Sequence, residues 1–485
     1  MGDDIVRNVR VEASRISALS LESFRGLFLA LATSCFILCG TVLVGLGQST
    51  VNGQEAAPRA TPWSPGNVKS FVLKGPNGEP IPINYDESKA DNYTLPDPLK
   101  LERGKEVRTA SAWYHERRPQ LLHLFEEDVY GRTPARPDPY GIRYKVFNVD
   151  HNALGGIALR EQVEIYFKRD ETGPKMDMVI YLPAHSDGPV PLFLCLSFSG
   201  VNAIAGDSGV QIKEIWNTRE KIKVPAWPLR NATSDKWPVA KILAQGYGLA
   251  VICYNDIEPD FIGGYQYSVR RLFAKSGQTE QDRAPDAWGA IGAWAWGLSR
   301  AMDYLETDKA VNAKQVALVG QSRLGKTVLW AGAEDIRFAM VIDSCSGKAG
   351  ASLLRHNYGE TIKNLVLHWP YQFAPNFRKF MDDPDKLPVD SNELIALIAP
   401  RPVFLSTGSL DQWSDPRGTF LAAVAAGPVF QLLGVEGLGT NQFPPLDHPI
   451  MHTIGFDSHS EGHEITEADW DRFLEFAGMH FTSER

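Results

Sequence analysis

The chain has 485 residues, 44% of them hydrophobic and 22% charged, with a formal net charge of −9. That is an ordinary globular balance, enough for one large domain or two moderate ones. The negative charge and the lack of any Lys/Arg run argue against a nucleic-acid partner.

Residues 26–47 form an uncharged apolar run that follows Arg25. Its length is near the ~20 residues that span a bilayer. Residues 1–49 are therefore predicted to be an export signal, with an uncleaved membrane anchor as the second reading. Any membrane contact would come through this segment alone. Residues 48–66 are rich in Gly, Pro, Ala and Ser. They read as a tether, within a tether and N-terminal extension over 50–109. The main domain is expected over 110–485. Of the five cysteines, Cys35 and Cys39 lie in the apolar run. Cys195, Cys253 and Cys345 are left, an odd number that implies no disulfide framework. All three are expected to be small buried core residues.

Residues 142–147, 162–167, 176–182 and 189–197 alternate or run apolar at strand length. Residues 203–235 show no periodicity and are expected to be a surface excursion. From there helix and strand alternate. A short helix is predicted over 238–245, a strand over 249–254, and a long helix over 286–308 with Asp286 as N-cap. Further strands are expected at 316–319, 338–343 and 402–407. A closing helix over 465–485 should be capped by Thr466. This alternation predicts a mainly parallel sheet with helices on both faces, a three-layer α/β sandwich.

The most informative stretch is residues 316–327, Val-Ala-Leu-Val-Gly-Gln-Ser-Arg-Leu-Gly-Lys-Thr. An apolar strand turns at Gly320 and Gly325 into an apolar helix, which can present Ser322 at the top of a sheet as a nucleophile elbow. The spacing is Gly-x-Ser-x-x-Gly, because position 324 is Leu. The same letters match a phosphate-binding loop, in which Lys326 would hold phosphates, Thr327 magnesium, and Asp343 would be the acidic partner. The export signal, the late position in the chain and the bulky Arg323 inside the turn weigh against that reading.

A serine nucleophile needs an imidazole to take its proton and a carboxylate to orient the imidazole. Downstream lie Asp411 and Asp415, past the 402–407 strand, and then His463 in a Gly-containing loop before the last helix. The order Ser, Asp, His is that of α/β-hydrolases. His448, His452, His459 and His463 form two i,i+4 pairs, but no His-Glu-x-x-His arrangement accompanies them, so no metal is expected.

Gly320-Gln-Ser322-Arg323-Leu-Gly325-Lys326 resembles the Gly-x-Ser-Arg-x-Gly-Lys signature of the glucuronoyl esterases, carbohydrate esterase family 15. The helix carrying Trp288, Trp294 and Trp296, then Gly359-Glu360-Thr361, Asp411-Gln-Trp413-Ser-Asp415-Pro416 and Gly462-His463, resemble its bacterial members. The likeness runs from about 110 to 483. It implies an α/β-hydrolase fold and a serine esterase acting on 4-O-methyl-glucuronoyl esters, such as those joining xylan side branches to lignin alcohols. Ser322 would be the nucleophile, His463 the base, and Arg323 an oxyanion donor. Lys326, Glu360 and Trp413 would contact the sugar ring. Some members carry a glutamate after the strand that follows the elbow. Cys345 stands there in this chain; other bacterial members use an acid after the next strand, and the resemblance therefore implies Asp411, with Asp415 as fallback. No cofactor is expected, and the protein is expected to act as a monomer. The alternatives are an esterase for acetyl or feruloyl groups, a catalytically silent carbohydrate-binding relative, and the phosphate-binding loop. Without the resemblance, Arg323, Lys326 and Glu360 read as surface charges and Trp413 as core.

Overall fold

The computed structural model describes residues 73–75, 77–90, 93–135, 141–226, 233 and 236–481. The predicted export segment lies outside these residues. No helix among the described residues is long and apolar enough to cross a membrane.

The strands are β1 (Arg143–Asn152), β2 (Ala158–Tyr166), β3 (Lys175–Pro183), β4 (Val190–Ser197), β5 (Glu214–Asn217), β6 (Ile222–Pro225), β7 (Gly248–Cys253), β8 (Val311–Gln321), β9 (Met340–Ser344), β10 (Val403–Gly408), β11 (Ile450–Met451) and β12 (Ile454–His459). Ten of them form one sheet in the order β1-β2-β3-β7-β4-β8-β9-β10-β12-β11. The block from β7 to β12 is parallel. The edges, β1 to β3 joined to β7 and β11 on β12, are antiparallel.

Both faces of the parallel block are covered, as its unbroken apolar strands require. Successive side chains of a strand point to opposite faces. Leu192, Leu194, Val316 and Leu318 accordingly join one buried cluster, while Phe193, Cys195, Ala317 and Val319 join another. The first is covered by α1 (Arg118–Asp128), α2 (Ala290–Leu305), α3 (Arg323–Glu334) and α4 (Pro416–Leu432), the second by residues 239–244 and α5 (Glu467–His480). Cys195, Cys253 and Cys345 are buried free thiols.

Several expectations need correction. Asp286 is not the N-cap of α2; Gly289 is. A Cβ on Gly289 would lie 2.3 Å from the Gln372 carbonyl, so the helix begins where the backbone can press against that segment. Residues 203–235 are not simply a surface excursion. Ile204 is fully buried, and β5 and β6 pair as an antiparallel hairpin too short to show a period. β12 and α1 were not foreseen. Thr466 does cap α5, with a reciprocal bond to Asp469.

The segment before α1 packs on the domain. The Asn84 carbonyl accepts from Gly359 N at 2.9 Å. Glu87 meets buried His356 at 3.2 Å and Arg417 at 2.6 Å.

Candidate active site

Ser322 sits between β8 and α3 with φ 59° and ψ −129°. This conformation costs a non-glycine residue about 1–3 kcal/mol and persists only where neighbours enforce it. Here Ser322 N donates to the Ser344 carbonyl at 2.8 Å, tying the elbow to the end of β9. The two glycines of the motif allow the close approach. A Cβ on Gly320 would stand 2.2 Å from the Leu324 carbonyl, and one on Gly325 2.1 Å from Asp343 Oδ1. Position 324 has no such demand; Leu324 is fully buried in the first turn of α3.

The loop after β12 carries His463. It is tied down by Gln321 Nε2, which donates to the His463 carbonyl at 2.9 Å. Leu410 N donates to the Glu461 carbonyl at 3.0 Å. Asp411 follows β10, and its Oδ2 lies 2.6 Å from His463 Nδ1. Asp411 is 7% exposed, whereas the His463 side chain is 41% exposed. Ser322, Asp411 and His463 thus stand past the C-terminal ends of β8, β10 and β12, which with β9 are consecutive in the sheet. That edge is where open α/β sheets gather their chemistry. The Ser322 hydroxyl and His463 Nε2 have no hydrogen-bond partner among the described residues. Contacts of this kind are often loose before substrate arrives.

Asp415 is placed elsewhere. Its Oδ2 accepts from Lys348 Nζ at 2.5 Å, from Ser352 Oγ at 2.8 Å and lies 2.8 Å from His356 Nδ1. Its Oδ1 accepts from Gly418 N at 2.8 Å and caps α4. Burial alone would raise its pKa, but the Lys348 charge and the His356 bond hold it down at about 2.

Arg323 reaches across the site and pairs with Asp260. Asp260 also accepts from Tyr254 Oη at 2.9 Å, Tyr371 Oη at 2.7 Å and Gln372 Nε2 at 2.9 Å. Burial lowers the Arg323 pKa, but the Asp260 carboxylate more than offsets this and leaves it above that of ordinary arginine. The guanidinium lies 5.8 Å from the Phe198 ring centre and 6.0 Å from that of Trp369. Sequence reading missed Asp260, Tyr371 and Gln372 as site residues, because no motif or spacing links them to Arg323.

Lys326 and Glu360 are both buried. Lys326 Nζ donates to the carbonyls of Ser346 at 2.7 Å and Lys348 at 2.6 Å, and to Glu360 Oε2 at 3.1 Å. Burial lowers the Lys326 pKa. Its three protons are matched inside the protein, so it offers no ammonium to a phosphate, and the phosphate-loop reading is set aside. Glu360 N donates to the Trp413 carbonyl at 2.9 Å, which joins these two residues through the backbone. Trp413 is half-buried.

The histidine pairs do not converge. His452 meets Glu436 at 2.8 Å, and His459 is buried within β12. Among the described residues the group able to ligate a cation is Cys345, Asp411 and His463, whose ligand atoms all lie within 4.8 Å of one another.

The family described as "Glucuronyl esterase, fungi" matches residues 283–434. A carbohydrate esterase, MZ0003, from an unknown prokaryotic organism is 42% identical over 436 residues, covering 87% of this chain and 96% of that protein. A solved glucuronoyl esterase from Solibacter usitatus is 45% identical with a TM-score of 0.79, covering 81% of this chain and all of that one. A CE15 glucuronoyl esterase from Teredinibacter turnerae T7901 is 30% identical with a TM-score of 0.71, covering 86% of this chain and 97% of that one. The chain belongs to carbohydrate esterase family 15. As a family 15 member it is a carboxylic ester hydrolase with the α/β-hydrolase fold. In this esterase the elbow and the Asp411–His463 and Arg323–Asp260 pairs lie past the C-terminal ends of the parallel strands.

Proposed function

We propose that this family 15 esterase is an exported serine enzyme that hydrolyses esters of 4-O-methyl-glucuronic acid, including those linking xylan to lignin alcohols. The observation that carries the reading is the strained Ser322 elbow on the sheet edge that also bears the 2.6 Å Asp411–His463 contact. His463 Nδ1–H donates to Asp411, which leaves Nε2 as the basic nitrogen. Nε2 takes the Ser322 proton as Oγ attacks the ester carbonyl. The same proton is then given to the departing alcohol. Water, deprotonated by Nε2, attacks the acyl-enzyme and frees the uronic acid and Ser322.

The oxyanion meets the backbone N–H of Arg323, the residue after the nucleophile, and the guanidinium that Asp260 orients. Glu360 and Trp413 read the ring hydroxyls; Lys326, expected from the resemblance to contact the ring as well, has its three protons taken by Ser346, Lys348 and Glu360 and instead holds Glu360 in place. The Asp411–His463 contact weighs against a silent binding relative without a working acid. The test is release of glucuronate from its methyl or benzyl ester. Wild type should turn over and Ser322→Ala should not. An inert wild type, or an equally fast alanine variant, defeats the proposal. Faster hydrolysis of acetyl or feruloyl esters would move the substrate to another acyl class.

A further inference from the structure

We propose that Cys345, Asp411 and His463 form an inhibitory binding site for a thiophilic divalent cation of the zinc class. The thiol sulfur, a carboxylate oxygen and a ring nitrogen lie within 4.8 Å of one another. Sulfur, nitrogen and oxygen together are a donor set that zinc takes and magnesium does not. Nδ1 and Oδ2 are 2.6 Å apart. Zinc bonds of about 2.0–2.3 Å at tetrahedral angles hold such donors roughly 3.3–3.6 Å apart, so Nδ1 and Oδ2 would open slightly to admit the ion.

The ligands are also held in place. Cys345 directly follows β9 with φ 52°, and its N–H donates to the Ser406 carbonyl at 2.9 Å. Cys345 and Asp411 are buried, so the ion would enter on the half-exposed His463 side, with a water as fourth ligand. On binding, the ion takes the Nδ1 lone pair, the ring proton moves to Nε2, and the thiol proton alone goes to solvent; nothing is oxidised or reduced. Asp411 then no longer receives the Nδ1 proton, and Nε2, now protonated, cannot take the proton of Ser322. The inhibitory part rests on the functional reading above; the binding part does not.

The experiment titrates chelator-stripped protein with zinc chloride, followed by calorimetry and in parallel by ester hydrolysis. Wild type and Ser322→Ala should each bind one zinc ion in the same way. Hydrolysis by wild type should fall at least about tenfold at saturation, while magnesium at equal concentration has no effect. Cys345→Ser should hydrolyse at close to the wild-type rate without metal and bind zinc at least about tenfold more weakly. Cys345→Ala, with its melting temperature checked, repeats the test without a hydroxyl. Equal zinc affinity in wild type and both cysteine variants overturns the site. Zinc that binds without slowing hydrolysis overturns the inhibitory role. If wild type hydrolyses no ester, the functional reading fails, and the calorimetric arm still decides the site.

Discussion

Asp411 Oδ2 lies 2.6 Å from His463 Nδ1, whereas Asp415, one short turn later, faces Lys348 inside the domain. Two acids of the same type therefore have opposite surroundings. The Asp411→Asn variant should keep its melting temperature and lose about 10³–10⁴ in kcat, because an amide fixes the wrong tautomer. The Asp415→Asn variant should lose stability instead, by about 3–5 kcal/mol, because Lys348 is left as an uncompensated buried charge. Steady-state kinetics and thermal denaturation of both variants check this.

The same buried acid sets a pH signature. Asp415 is held at about 2 against a usual 3.8, so its contribution is fully present above about pH 4 and lost as pH falls toward 2. The size is roughly 2 kcal/mol. His356 works in the opposite sense. Burial lowers its pKa, but the bonds to Asp415 and Glu87 raise it above 6.5. Its contribution is present below pH 6.5 and is lost as pH rises through the raised value. The urea midpoint of wild type minus that of Asp415→Asn should therefore peak between about pH 4 and 6.5 and shrink on either side.

Arg323 is held by Asp260. Breaking that pair should misplace an oxyanion donor. Asp260→Asn should lower kcat/KM by about 10²-fold, toward the loss expected for removing one donor. Arg323→Lys should fall close to Arg323→Ala, since a lysine lacks the planar fork that meets the carboxylate. In the Arg323→Ala background, Asp260→Asn should cost little more, which a double-mutant cycle measures.

The elbow glycines give a steric prediction. The Gly320→Ala methyl would meet the Leu324 carbonyl at 2.2 Å, and backbone cannot step aside as a flexible side chain can. A loss of about 1–3 kcal/mol is expected, together with activity. Gly462, beside His463, has open space around its Cβ direction. Gly462→Ala should change stability by no more than about 0.5 kcal/mol, and chemical denaturation of the pair reads the difference.

Much of this was legible in the chain because it is local. Apolar runs such as 316–319 and 402–407 read as buried strands from their length and composition, and β8 and β10 are there. The Gly-x-Ser-x-x-Gly turn encodes its own backbone, since small residues are required wherever strand and helix touch. Thr466 announced its helix through the acid three residues on. The misses share another cause. β12 has a polar end, Asp457-Ser-His459, that pairs with Ser406, Thr407 and Gly408 of β10 and is buried there. The β5–β6 hairpin is too short to show a period, and Asp286 has the chemistry of a cap, but the Gln372 segment packed against Gly289 sets where the helix begins.

By itself, then, the sequence determined the layered fold, the elbow and the order in which serine, acids and histidine follow. These depend on side-chain period and backbone sterics, which act over a few residues. Only the tertiary structure decided that Asp411 meets the imidazole while Asp415 is locked to Lys348, that Asp260 grips Arg323, and that Lys326 turns inward to Glu360. Charge pairing is set by distance in space. Groups far apart along the chain become partners only when the strand order brings their ends together.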